Sequence, residues 1–138
     1  MSITKKVLGC TKNGETVTLY TMRNKNGVEA SVTDLGAVWT GLRAPDREGR
    51  FEDVLLGYDT PDALYENTGS LGAIIGRNAN RIKNAEFSLN GKQWQLEKNS
   101  GENNLHSGPA VLGKRLFSAE EGSVEQADWV LERLKGGM

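Results

Sequence analysis

Two short stretches hold the side chains best suited to chemistry. "GENNLHSGP", residues 101–109, contains the one histidine of the chain, His106, and "LGAIIGRNANRI", residues 71–82, delivers Arg77, Asn78, Asn80 and Arg81 behind an apolar run. Histidine has an unperturbed pKa nearest neutrality, so His106 in a polar loop reads either as a proton donor and acceptor or as an ordinary surface residue. The second stretch lacks the GxxxxGK[ST] spacing of a phosphate loop and the GxGxxG of a dinucleotide turn. Its apolar run is also far too short for a membrane GxxxG helix. What remains is a buried strand emerging into a polar bend. There, asparagine amides and guanidinium forks suit a ligand rich in vicinal hydroxyls, such as a sugar. The competing reading pairs Arg77 and Arg81 with carboxylates such as Glu97 or Asp53. One histidine and one cysteine provide no zinc cluster, and no EF-hand pattern is present, so neither metal nor cofactor is expected.

The elements that must position these residues read as strands. Seventeen glycines and repeated Asn-Gly or Asp-rich turns cut the chain into short alternating pieces. "ETVTLYTMR" puts Val17 and Leu19 on one face and Thr16, Thr18 and Tyr20 on the other. A turn at Asn26-Gly27 leads to "VEASVTDLG", in which Val28, Ala30 and Val32 alternate with polar residues. "AVWTGL" and "EDVLLGY" follow as third and fourth strands, and Thr60-Pro61-Asp62 predicts one short helix. "EFSLNGKQWQL" predicts a hairpin across Asn90-Gly91, and Trp39, Trp94 and Trp129 are expected in the core, with sugar stacking as their alternative role. "VEQADWVLERL" fits helix and strand equally.

Size and composition set the outer bounds. A chain of 138 residues suits one domain, and 17 basic against 18 acidic residues leave a net charge of −1, with no electrostatic footprint for nucleic acid. No apolar run reaches the length of a signal core or a membrane span. The lone Cys10 suits a reducing compartment, so the protein is expected in the cytoplasm. The chain stops at "LKGGM" without a closing element. It is therefore expected to be a fragment whose uncovered sheet edge leaves association open.

The order of "LGAVWTGLRAPDREGRFEDVLLGYDTPDALY", "GAIIGRNANRIKNAEFSLNGKQWQLEKN" and "NNLHSGPAVLGKRLF" closely resembles the N-terminal part of the aldose 1-epimerase (galactose mutarotase) family, from about Val32 to Glu120. The resemblance implies an all-β antiparallel sandwich, with residues 1–138 as the N-terminal portion of a single domain whose C-terminal part is missing. It implies an isomerase that interconverts the anomers of hexoses such as galactose or glucose, without cofactor. Asn80 and Arg81 would bind ring hydroxyls and the catalytic His106 would lie beside the anomeric end of the ring; Arg81 and His106 are expected to face one shallow cleft. The sequence departs from the family at Ser107, where "LHGG" is usual, and at "AVLGKR", where a Gly-Phe-Asp-Lys-like run is usual. No glutamate matches the motif of the family's base, and the second histidine is absent. A noncatalytic carbohydrate-binding domain is thus the alternative.

Overall fold

The computed structural model describes residues 2–120 and 131–132. Strands β1 (Ser2–Cys10), β2 (Thr16–Arg23), β3 (Glu29–Thr33), β4 (Trp39–Pro45) and β5 (Phe51–Asp53) form one antiparallel sheet in sequence order. Turn chemistry sets the register. Asn24 Oδ1 accepts the N–H groups of Asn26 and Val28 at 2.9 and 3.0 Å, closing the β2–β3 hairpin where Asn26-Gly27 predicts it. Asp46 Oδ1 does the same for Glu48 and Arg50 between β4 and β5.

Helix α1 (Pro61–Glu66) starts where the sequence predicts, with Thr60 Oγ1 accepting from Ala63 N–H at 3.3 Å. Beyond it lie three two-stranded ribbons. Strand β6 (Arg81–Ile82) pairs with β9 (Asn104–Leu105), β7 (Glu86–Leu89) with β8 (Lys92–Gln95), and β10 (Ser118–Ala119) with β11 (Leu131–Glu132). The Asn90-Gly91 turn joins β7 to β8 with both residues at positive φ, 53° and 72°, as a two-residue hairpin requires.

The core gathers Val17, Leu35, Val38 and Leu64, with Leu8, Tyr58, Ala73 and Leu116 against it. Val17 is buried as the alternation predicts, but so is Tyr20 on the opposite face. Tyr20 sits between Lys5 and Val32 in register, and central strands are shielded by such neighbours. Three expectations fail. The strand expected over "EDVLLGY" ends at Asp53, in β5, because the Asp53 Oδ1 accepts the N–H groups of Leu42 and Leu55, each at 3.0 Å, and bends the chain away. These backbone hydrogen bonds also hold the Asp53 carboxyl below the usual carboxylate range. Trp39 and Trp94 are exposed at 46 % and 42 %, not core residues. Trp94 lies on a ribbon whose eight residues are all exposed, stacked on Phe87 with ring centroids 6.4 Å apart and capped by the Lys92 ammonium 4.1 Å from its ring. Trp129 and most of the ambiguous tail lie outside the described residues.

The segment 112–117 ties the ribbons to the sheet. Gly36 N–H donates to Arg115 O at 2.6 Å, Phe117 N–H to Asp34 O at 2.8 Å, and Leu35 bridges Leu116. Asp34 itself accepts the Thr18 N–H at 2.8 Å, while burial pushes its carboxyl above the ordinary value.

Candidate functional site

Residues 73–76 belong to no strand, unlike the buried strand expected, and the peptide Gly76–Arg77 is cis. The chain then turns through Asn80 at φ 58° into β6, whose partner β9 leads directly into His106. The two segments exchange hydrogen bonds. His106 N–H donates to Asn80 O at 3.1 Å, and Asn80 N–H donates to His106 Nδ1 at 3.0 Å. A ring nitrogen that accepts cannot carry the hydrogen, so the neutral imidazole has its proton on Nε2. His106 is thereby built as an Nε2–H donor of fixed tautomer.

This arrangement is held against backbone strain. His106, Ser107 and Gly108 all occupy the left-handed region, at φ 53°, 72° and 74°. Such a conformation costs a non-glycine residue of order 1–3 kcal/mol and persists only where surrounding contacts fix it. The contacts come from Ser107 and Asn78, and from Asn99 and Asn104, which the sequence motifs did not single out. Ser107 Oγ accepts Asn78 N–H at 2.9 Å and donates to Asn78 O at 3.3 Å. Asn104, 2 % exposed, accepts from Asn78 Nδ2 at 3.3 Å and donates Nδ2 to Glu97 O at 2.8 Å. Asn99 mimics a strand neighbour, accepting Leu105 N–H at 2.6 Å and donating to Leu105 O at 2.9 Å. The density of asparagines in 99–104 was the available signal, since such amides substitute for backbone partners in loops.

Serine at position 107 thus takes the positive φ that glycine adopts readily and adds two bonds to Asn78. We expect Ser107→Ala to cost about 1 kcal/mol of stability. Because the chain has one histidine, its ring ¹⁵N spectrum is unambiguous: the parent should show the Nε2–H tautomer, and Ser107→Ala a mixture. An unchanged spectrum would show that the ring is held without Ser107.

Arg81 is exposed, opposite Leu105 across the ribbon, and its Nε donates to Ser100 Oγ at 3.4 Å. Among the described residues neither Arg77 nor Arg81 pairs with Glu97, Asp53 or any other carboxylate. The pairing brings Asn80, Arg81 and His106 to one end of one ribbon. The adjoining cavity, of about 220 Å³, is lined by Arg77, Asn78, Asn104 and Ser107 among others, and not by Arg81 or His106. No carboxylate among the described residues hydrogen-bonds His106, and Glu102 is engaged by Lys98, which holds its carboxyl low. Among the described residues no three His, Cys, Asp or Glu gather as metal ligands, and no helix is long and apolar enough to cross a membrane.

The aldose 1-epimerase family profile matches residues 18–134. The chain belongs to the aldose 1-epimerase family. It is 36 % identical over 105 residues to the aldose 1-epimerase of Escherichia coli K12, covering 76 % of this chain and 30 % of that protein. It is 32 % identical to the galactose mutarotase of Bos taurus, covering 99 % of this chain and 45 % of that one. The crystal structure of an aldose epimerase homologue from C. elegans superposes with a TM-score of 0.70 at 37 % identity, over 75 % of this chain and 32 % of that one. The galactose 1-epimerase of Lactobacillus acidophilus, at 20 % identity, shares the fold with a TM-score of 0.73 over 88 % of this chain. The chain therefore has the galactose mutarotase-like all-β fold and spans about a third to a half of the length of these aldose 1-epimerases.

Proposed function

We propose that residues 1–138 form the N-terminal portion of a single aldose 1-epimerase domain that interconverts the anomers of a hexose such as galactose or glucose in the cytoplasm. The observation that carries this reading is the Asn80 N–H bond to His106 Nδ1. It leaves Nε2–H free to donate to a sugar oxygen beside Arg81. In the proposed reaction a carboxylate base removes the proton from the C1 hydroxyl while an imidazole acid protonates the ring oxygen. The C1–ring oxygen bond breaks, the aldehyde turns, and reclosure gives the other anomer. Electrons and protons balance within the sugar, so the step needs no redox partner.

Within that scheme Asn80 and Arg81 hold ring hydroxyls, and His106 donates at the anomeric end. The base and the principal acid belong, by resemblance, to family motifs that no residue here matches. The sequence permits a second reading, a domain that binds sugar without converting it, since no glutamate here matches the family's base. Titrating galactose into ¹⁵N-labelled protein, with polarimetry in parallel, tests both. We expect weak binding, with Kd of order 1 mM, that shifts the Asn80, Arg81 and His106 signals and is lost in Arg81→Ala. No response at these three residues would overturn the proposed site. Mutarotation above the buffer rate that vanishes in His106→Ala would show that the chain supplies its own base, with Glu97 and Glu102 the first residues to test.

A further inference from the structure

The 220 Å³ cavity beside the histidine loop has a chemistry that the proposed reaction does not use. Arg77 and Arg115 both line it, with Asn78, the buried Asn104 and Ser107 as polar wall and Leu112 as apolar wall. No aspartate or glutamate lines it. Elsewhere among the described residues, Lys12 pairs with Glu66, Arg23 with Glu29, Arg50 with Asp46 and Glu48, and Lys98 with Glu102. Arg77 and Arg115 pair with no carboxylate among the described residues.

The fold fixes this juxtaposition. Arg115 is held by its carbonyl bond from Gly36 N–H and by its own N–H to Leu112 O at 3.0 Å. Arg77 follows Gly76, where a Cβ would sit 3.0 Å from Leu112 Cδ1, so the two segments lie close together there. Asn78, next in line, is pinned by Ser107. Two like charges set around one cavity repel unless an anion lies between them, and guanidinium forks match the oxygens of a phosphate in geometry and number of donors.

We propose that this cavity is an oxyanion site for a phosphate group, carried on a small ester or free. Two guanidinium charges match the near −2 charge of phosphate at neutral pH. The volume is below the roughly 300–1,000 Å³ of drug-sized pockets and so admits the phosphate with little of its carrier. Ser107 lines the cavity and directly follows His106, so a phosphorylated sugar would extend its ring toward the histidine loop. The oxyanion site does not depend on the proposed epimerase activity, but the sugar carrier does.

The test is titration of the 138-residue protein, at low ionic strength, with inorganic phosphate, a hexose 6-phosphate and the neutral hexose, reading the Arg77 and Arg115 side-chain N–H signals and calorimetric affinity. We expect both phosphate compounds to shift these signals, and Arg77→Gln or Arg115→Gln to weaken binding about tenfold or more. Arg47→Gln, at the exposed β4–β5 turn, should leave affinity unchanged, and circular dichroism confirms that each variant is folded. Tighter binding of the ester than of inorganic phosphate identifies a sugar phosphate as the ligand; equal or weaker binding identifies free phosphate. Failure of both compounds to shift the arginine signals, equal weakening in Arg47→Gln, or binding unaffected by either cavity variant would overturn the proposal. A response at Arg77 and Arg115 to the neutral hexose alone would overturn it while leaving the epimerase reading intact.

Discussion

Replacing the matching part of the E. coli aldose 1-epimerase by residues 18–120 of this chain is expected to give a protein that accelerates mutarotation of α-galactose. In that chimera, His106→Ala should lower kcat/KM by about 10²–10⁴-fold. The magnitude is that of one positioned general acid or hydrogen-bond donor to the reacting sugar. The geometry behind it is the Asn80 amide on Nδ1, which holds the imidazole proton on Nε2 before substrate arrives. Polarimetry at neutral pH measures the effect, with thermal melts to verify that the parent chimera and variant are equally folded. A folded, active chimera that loses less than tenfold on His106→Ala would remove His106 from the chemistry. The 138-residue chain alone is expected to remain at the buffer rate, because both principal proton-transfer groups belong to motifs it does not contain.

The second large effect is structural. Gly36 has φ 69°, and a Cβ there would lie 2.1 Å from the Gly113 carbonyl oxygen, far inside contact distance with backbone that cannot rotate away. Gly36→Ala should therefore cost about 3 kcal/mol or more, summing the left-handed penalty of a side-chain-bearing residue and the displacement of a packed segment. The displaced segment is 112–117, so the Gly36 and Phe117 amides should lose protection from hydrogen exchange first. Gly91→Ala makes the comparison, since φ is 72° but nothing lies within 4 Å of the added carbon. It should cost only the conformational part, about 1 kcal/mol. Equal losses in urea titrations of the two variants would show that the contact with Gly113 is not what Gly36 protects.

Local chemistry made several elements legible in the sequence. Asn26-Gly27 and Asn90-Gly91 could turn the chain tightly because Gly27, Asn90 and Gly91 take positive φ, and Thr60 before Pro61 could cap a helix with its own hydroxyl. The ordered motifs around Arg81 and His106 likewise pointed to the family that the profile over residues 18–134 establishes. Burial was less legible, because alternation reports which residues share a face and not which face is covered. Trp94 alternates like a core residue, yet all eight residues of its ribbon are exposed, and its ring stacks on Phe87 under the Lys92 ammonium. Tyr20 reads as outward, yet it is enclosed by its strand neighbours.

The sequence by itself determined the turns, the strand-rich class, the family and the residue types at the candidate site. Only the tertiary structure decided how those residues meet. Pairing of β6 with β9 set the Asn80 amide on the His106 ring, 26 positions on in sequence. Docking of 112–117 on Gly36 carried Arg115 to the cavity of Arg77. The physical reason is that a tautomer and a charge cluster are properties of distances across space. Those distances are fixed by sheet register and by the close approach that the glycine at 36 permits, and neither leaves a periodic mark in the chain.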